Sequence, residues 1–139
     1  MAGSLILSVI VIISSTFYVE IYNVEEYWWD YTPMLEEFGD ILLREDDEGW
    51  QGDSFLIYHN DNKYGYLSFG WGSCSGCDAL QACKTISEVQ ELMDSLYNEI
   101  EWYESIKELK ESFDDTDWEL KWEGHSWAFQ QLAKKVMEL

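Results

Sequence analysis

The stretch SFLIYHNDNKYGYLSFGW, residues 54–71, contains the clearest β-strand signal in the chain. Its two halves are rich in aromatic and branched aliphatic residues, which are typical of strands. They are joined by Asn60, Asp61 and Asn62, which are residue types that favour turns. The stretch therefore predicts a β-hairpin and an antiparallel sheet built around it.

A long helical pattern begins soon after this hairpin. Residues 85–113 place apolar side chains three and four positions apart, which is the spacing of one face of an α-helix. Thr85 and Glu88 have the spacing of a capping box at its start. We therefore predict one long amphipathic helix, whose apolar face carries Ile86, Val89, Leu92, Met93, Leu96, Ile100, Tyr103, Ile106, Leu109 and Phe113.

The end of the chain predicts a second helix over residues 125–139, with Trp127, Leu132 and Val136 facing the core. The preceding segment TDWELKWEG, residues 116–124, alternates large apolar and charged residues. This alternation predicts an edge strand, and a short helical turn is the alternative.

The segment before the hairpin predicts a helix followed by a loop. Residues 25–43 place Met34, Leu35, Phe38, Ile41 and Leu42 at helical spacing. Thr32 and Pro33 are suited to the N-cap and the first helical position. The sequence REDDEGWQGD, residues 44–53, predicts the loop.

The predicted fold class is α+β, with a small antiparallel sheet whose hairpin packs against the long helix and the C-terminal helix. The 139 residues suffice for one hydrophobic core, and the chain has one Pro and no low-complexity linker. We therefore predict a single domain over residues 1–139.

The apolar run LILSVIVII, residues 5–13, predicts a buried strand because Val and Ile dominate it. It is shorter than the roughly 20 residues that span a bilayer, and no basic residue precedes it as in a signal peptide. The alternatives are a cleaved or anchoring segment, or a peripheral extension over residues 1–15.

Charge limits the possible partners. The chain has 28 Asp and Glu residues against 8 Lys and Arg, which gives a net charge of -20. Acidic residues occur in both halves, so no acidic tail accounts for the total. Such a protein repels nucleic acid and anionic membranes, so we expect a basic partner and no direct binding to either. Three cysteines without a convincing secretory signal predict a reducing, cytoplasmic setting.

All three cysteines lie in GWGSCSGCDALQAC, residues 70–83. Cys74 and Cys77 have the spacing of a zinc knuckle, and Cys83 and His125 would complete four ligands. A redox pair is a second interpretation. The third is a sharp strand-to-helix turn in which Cys77 and Cys83 pack as small apolar residues and Asp78 caps a short helix. The sequence leaves all three open.

The stretch YGYLSFGWGSCSGCDALQAC, residues 64–83, resembles a segment of small, mostly uncharacterised proteins of tailed bacteriophages. In those proteins an aromatic hairpin runs into a Gly-Ser-Cys-Ser-Gly-Cys-Asp turn, which here spans residues 72–78. The resemblance implies a phage setting, with the host cytoplasm as its location. It implies no activity and no catalytic residue.

The acidic residues suggest a function. Carboxylates recur three or four positions apart along residues 88–111, where like charges repel one another. A surface that only keeps the protein soluble is one interpretation. The other is a nucleic-acid-like negative face that binds a basic protein, with Trp50 as an interface anchor. Its candidate partner-binding residues are Glu36, Glu37, Asp46, Asp47, Glu48, Trp50, Glu91, Asp94, Glu101, Glu104, Glu108 and Glu111.

These observations predict a non-enzymatic acidic binding protein, which would act as a phage-encoded inhibitor of a basic, nucleic-acid-handling host or defence protein. This hypothesis needs no cofactor. The alternative is a small zinc-binding domain built on the three cysteines and His125, in which the acidic charge serves solubility only.

Overall fold

The structure is a computed structural model that describes residues 30–139. The predicted N-terminal strand at residues 5–13 lies outside the described residues. No helix within residues 30–139 has the length and apolar character needed to cross a membrane. The elements, in chain order, are α1 (Thr32–Glu36), β1 (Asp40–Asp46), β2 (Gly52–Asn60), β3 (Lys63–Trp71), α2 (Ala79–Ala82), α3 (Ile86–Glu99), β4 (Glu101–Tyr103), α4 (Ile106–Asp115), two 3-10 turns (Trp118–Leu120 and Trp122–His125) and α5 (Trp127–Met137).

The four strands form one antiparallel sheet in the order β1-β2-β3-β4, which confirms the predicted α+β fold class. The hairpin at residues 54–71 is also confirmed, because β2 and β3 pair from Gly52↔Trp71 to Asn60↔Lys63. Its turn places Asp61 at a φ of 53°, a left-handed conformation that Asp and Asn tolerate better than most residues.

The central strand β2 is buried on both of its faces. Phe55, Leu56, Ile57 and Tyr58 are consecutive, and none of them is exposed. Because successive side chains of a strand point to opposite faces, apolar packing is needed on both sides of the sheet. The result is three layers, with helices on each side of the sheet.

Two separate cores fill the spaces between these layers. Core A, which involves α1, α2 and α3, contains Tyr31, Met34, Leu35, Phe38, Leu56, Tyr58, Leu67, Phe69, Leu80, Cys83, Val89, Met93, Leu96 and Ile100. Core B, which involves α4 and α5, contains Phe55, Ile57, Tyr66, Leu109, Phe113, Ala128, Phe129, Leu132 and Val136. The helices that follow β3 therefore divide between opposite faces of the sheet.

The prediction of one long helix over residues 85–113 is wrong. The helix ends at Glu99, and Glu101–Tyr103 pair with β3 as the edge strand β4. A new helix begins after Ser105, whose hydroxyl accepts a hydrogen bond from the backbone N–H of Glu108 at 3.1 Å. The helical spacing of apolar residues continues across β4 because α3 and α4 each bury one stripe of apolar side chains. The two stripes pack on opposite faces of the sheet.

The predicted helix before the hairpin is also shorter than expected. It ends at Glu36, and Gly39 follows at a φ of 148°, a conformation open chiefly to glycine. Ile41 and Leu42 belong to β1, where the register shifts between Ile41 and Leu43. This irregularity leaves Leu42 exposed, whereas Ile41 packs against core A.

The C-terminal helix is confirmed in position, with one correction to its orientation. Leu132 and Val136 are fully buried, but Trp127 is exposed and does not face the core. The preceding segment forms two 3-10 turns instead of the predicted edge strand. The helical alternative for this segment was therefore the better one.

Gly65 allows β4 to approach β3. A Cβ atom at position 65 would lie 2.6 Å from Cγ2 of Ile100 and 2.9 Å from the ring of Trp102. We therefore expect Gly65→Ala to displace this edge and to lower the free energy of unfolding by about 1–3 kcal/mol, the usual cost of overpacking. Urea denaturation followed by circular dichroism measures the change.

Gly76→Ala is the matched control for this substitution. The nearest atom to a Cβ at Gly76 is Sγ of Cys74 at 3.9 Å, so the added methyl group has room. Equal stabilities of the two variants would contradict the proposed close approach at Gly65.

Candidate functional site

The acidic residues predicted to form one surface are divided by the sheet. Glu91 and Asp94 lie on α3, which covers core A, whereas Glu108 and Glu111 lie on α4, which covers core B. The prediction of a single row of carboxylates along one helix is therefore wrong, because β4 interrupts the helix that would carry the row.

Two further groups of predicted residues lie apart from these helices. Glu36 is the last residue of α1, and Glu37 follows it. Glu101 lies in β4, and Glu104 follows this strand and pairs with Lys63 at 3.5 Å. Lys63 begins β3 at the hairpin turn, which is the end of the sheet opposite Asp46.

Asp46, Asp47, Glu48 and Trp50 do lie close together, at the end of β1 and in the loop that joins it to β2. Asp46 forms an ion pair with Arg44 at 3.1 Å and also accepts a hydrogen bond from the Ser54 hydroxyl. The Trp50 side chain is 83% exposed. These four predicted residues are close because they are neighbours in sequence.

Asp47 is held in place by two hydrogen bonds. One carboxylate oxygen accepts from the backbone N–H of Asp53 at 3.0 Å, and the other accepts from the Ser126 hydroxyl at 2.8 Å. Ser126 also caps α5, because its hydroxyl accepts from the backbone N–H of Phe129 at 3.2 Å. The carboxylate of Asp47 thus ties the β1–β2 loop to the start of α5.

Burial, reinforced by the charges of Asp47 and Glu123, raises the pKa of the Asp53 carboxyl above its ordinary value. Hydrogen bonds explain why these three residues are neighbours: Asp47 accepts from the backbone N–H of Asp53, and Ser126, which donates to Asp47, also donates through its backbone N–H to the Glu123 carbonyl at 3.0 Å. We call Asp47, Asp53 and Glu123 the acidic end of the sheet. Asp53 and Glu123 were not among the predicted site residues, and no local pattern relates positions that are 70 apart in sequence.

The cysteine turn is organised around Asp78, which is buried. Its carboxylate accepts hydrogen bonds from the backbone N–H groups of Gly72 and Gln81, both at 2.9 Å, and from the Tyr31 hydroxyl at 3.2 Å. The predicted N-cap role of Asp78 is therefore confirmed. These contacts give the strand-to-helix turn a structural explanation that needs no ligand.

The four predicted zinc ligands do not come together. Cys74 and Cys77 are adjacent, with the Cys74 N–H donating to Sγ of Cys77 at 3.0 Å. Cys83 is buried and its thiol donates to the Ala79 carbonyl at 3.3 Å, while His125 contacts the Glu119 carbonyl at 3.1 Å. Within residues 30–139, no three His, Cys, Asp or Glu side chains are grouped to hold a metal ion.

The predicted packing of Cys77 and Cys83 as small apolar residues is half right. Cys83 is buried against core A, but Cys77 is exposed. A hydrogen bond with the Cys74 side chain lowers the pKa of the Cys77 thiol. Burial and the charges of Glu88, Asp78 and Glu91 raise the pKa of Cys83.

No protein-family model, no curated protein and no solved structure matches this chain. The resemblance to phage proteins noted from the sequence therefore stays a prediction.

The raised pKa of Asp53 predicts that removing its charge increases the stability of the folded protein, by an amount that depends on pH. At neutral pH the charged carboxylate is less favourable in the folded state than in the unfolded chain. We expect Asp53→Asn to raise the melting temperature near pH 7 by about 1–2 °C, the scale of a surface substitution. The gain should shrink as the pH falls towards the ordinary Asp pKa of about 3.9 and should vanish below it, where both states bind the proton.

Calorimetry of the wild type and of Asp53→Asn across this pH range measures the effect. Glu91→Gln is the control, because it removes one negative charge from α3, away from the acidic end. A gain of the same size in both variants would attribute the effect to net charge and would contradict a local repulsion at Asp53.

The thiols of Cys77 and Cys83 should differ in reactivity. Cys77 is exposed with a lowered pKa, and Cys83 is buried with a raised one, so the thiolate of Cys77 is both more abundant and more accessible. We expect iodoacetamide near neutral pH to modify Cys77 at least about tenfold faster than Cys83, as measured by peptide mass spectrometry. In urea the two rates should converge, and equal rates in the folded protein would contradict the difference.

Proposed function

We propose that this chain is a non-enzymatic binding protein whose acidic end receives a basic segment of a nucleic-acid-handling protein. The phage setting implied by the cysteine-turn resemblance makes inhibition of a host or defence protein the natural role. The observation that carries the proposal is the pair of hydrogen bonds by which Asp47 joins the β1–β2 loop to Asp53 and to Ser126, whose backbone N–H donates to the Glu123 carbonyl at 3.0 Å. These contacts bring Asp47, Asp53 and Glu123 together from three separate segments.

The negative charge is poorly neutralised within the protein. In residues 30–139, ion pairs join Arg44 to Asp46, Lys63 to Glu104, Lys107 to Glu111 and Lys135 to Glu45. Residues 30–139 contain 25 Asp and Glu residues and 8 Lys and Arg residues, so carboxylates outnumber cationic side chains about threefold in this part of the chain. This surplus of negative charge supports a cationic ligand over an anionic one.

The acidic end adds a local reason for binding. A cation placed beside Asp53 would favour its charged form and would offset the repulsion from Asp47 and Glu123. Asp47 needs no rearrangement to take part, because its two hydrogen bonds already fix its carboxylate. Pre-organised groups bind at a lower entropic cost than mobile ones.

A defined basic probe tests the proposal. Fluorescence anisotropy of a labelled oligoarginine peptide should show binding to the wild type that weakens as NaCl rises from about 0.05 M to about 0.5 M. The double variant Asp53→Asn/Glu123→Gln should bind at least about fivefold more weakly, because two of the three clustered charges are lost. A wild type that does not bind the peptide at low salt would overturn the proposal.

The matched control is Glu91→Gln/Asp94→Asn, which removes the same charge from α3. An equal loss of affinity in both double variants would show that net charge alone attracts the peptide, and the acidic end would then have no special role. The nature of the partner is tested separately by adding duplex DNA to a complex with a basic DNA-binding protein from the host. DNA should displace this chain, and a ternary complex would contradict a shared basic surface.

A further inference from the structure

Three tryptophans of the described part are strongly exposed. Trp50 is 83% exposed, Trp127 73% and Trp122 56%. Tryptophan is usually well buried, and a group of exposed aromatic side chains commonly marks an interaction surface. None of these three side chains belongs to core A or core B within residues 30–139.

The three tryptophans lie on segments that meet at the acidic end. Trp50 is in the β1–β2 loop, and Trp127 is the first residue of α5. The hydrogen bond between Asp47 and Ser126 joins these two segments. Trp122 precedes Glu123, and its ring centroid lies 6.3 Å from that of Phe55, which follows Asp53 by two residues in β2. We call Trp50, Trp122 and Trp127 the tryptophan rim.

We propose that the tryptophan rim is a docking surface and that its occupant is an arginine-rich segment of the basic partner. This inference rests on the proposed function and adds which residues bind and which cation they select. The tryptophans supply apolar contact area at the rim, and the neighbouring carboxylates determine that the occupant is positively charged.

Arginine fits this surface better than lysine for two physical reasons. The planar guanidinium group stacks on aromatic faces, and Trp gives the strongest cation–π interaction of the aromatic side chains. Guanidinium also binds carboxylates in a bidentate manner, whereas the lysine ammonium is a compact, strongly hydrated charge. A surface that combines tryptophan and carboxylate groups should therefore distinguish two cations of equal charge.

The combination of tryptophan and carboxylate groups disfavours two other ligands of exposed tryptophans, single-stranded nucleic acid and anionic lipid. Bases of single-stranded nucleic acid stack on aromatic rings, but their phosphates would face Asp47, Asp53 and Glu123. Anionic lipid headgroups meet the same repulsion. The basic segment is the occupant for which both the aromatic and the acidic groups are favourable.

The experiment compares oligoarginine with oligolysine of the same length, with the full chain and anisotropy as the readout. The wild type should bind oligoarginine about 3- to 10-fold more tightly than oligolysine, since stacking adds to an equal charge attraction. In Trp50→Ala/Trp127→Ala this preference should fall to about twofold or less, while oligolysine binding stays nearly unchanged. Tryptophan emission of the wild type should also shift to shorter wavelength with oligoarginine.

Trp50→Ala/Trp127→Ala removes side chains that are mostly exposed, so it should fold as the wild type does, and circular dichroism checks this. Met137→Ala is the control, because it removes an exposed apolar side chain from the far end of α5. A preference for arginine that stays at about threefold or more in the double tryptophan variant would overturn the inference. Tighter peptide binding by that variant would also overturn it, since the rim would then be covered by residues 1–29 or by a second copy of the chain.

The outcomes separate the inference from the proposed function. If both peptides bind the wild type equally and depend on Asp53 and Glu123, the acidic end binds basic partners but the tryptophan rim does not take part. If neither peptide binds at low salt, the proposed function itself fails.

Discussion

Burial of β2 on both faces is the constraint on which the rest of the structure depends. Phe55, Leu56, Ile57 and Tyr58 are consecutive and fully buried, so apolar side chains must cover the sheet from both sides. Helices α1, α2 and α3 cover one side, and α4 and α5 cover the other. The chain must therefore pass from one face to the other, and it does so at β4, where Gly65 leaves room for Ile100 and Trp102.

The same constraint decides where charge collects. Because the sheet separates α3 from α4, their carboxylates do not form a single row along one helix. Carboxylates converge instead where the β1–β2 loop meets the segment leading into α5. There Asp53 carries a charge that is unfavourable in the folded protein, since burial and two acidic neighbours raise its pKa. In the proposed function, a cation bound beside Asp53 would favour its charged form and offset this cost.

The cysteine turn and the acidic end differ in what explains them. Asp78 satisfies two backbone N–H groups and the Tyr31 hydroxyl, so the turn is accounted for by its own hydrogen bonds. The zinc alternative required Cys83 and His125 beside Cys74 and Cys77, an arrangement that residues 70–125 do not adopt. In the acidic end, Asp47 has such an explanation in its hydrogen bonds to Asp53 and Ser126, whereas the like charges of Asp53 and Glu123 gain nothing from one another. This contrast favours the acidic binding protein over the zinc-binding domain.

The sequence by itself determined the features that depend on near neighbours. The hairpin at residues 54–71, the cap of α2 at Asp78 and the start of α3 at Thr85 follow from strand propensity, turn residues and capping spacing. Ser105 and Glu108 have the same capping spacing as Thr85 and Glu88, and this signal could have revealed the start of α4. Only the tertiary structure decided that residues 101–103 form a strand, that Trp127 is exposed, and that hydrogen bonds through Asp47 and Ser126 bring Asp47, Asp53 and Glu123 together. The physical reason is that helical spacing records which residues are buried but not which side of the sheet they cover, and contacts between segments distant in sequence arise only when both faces are packed.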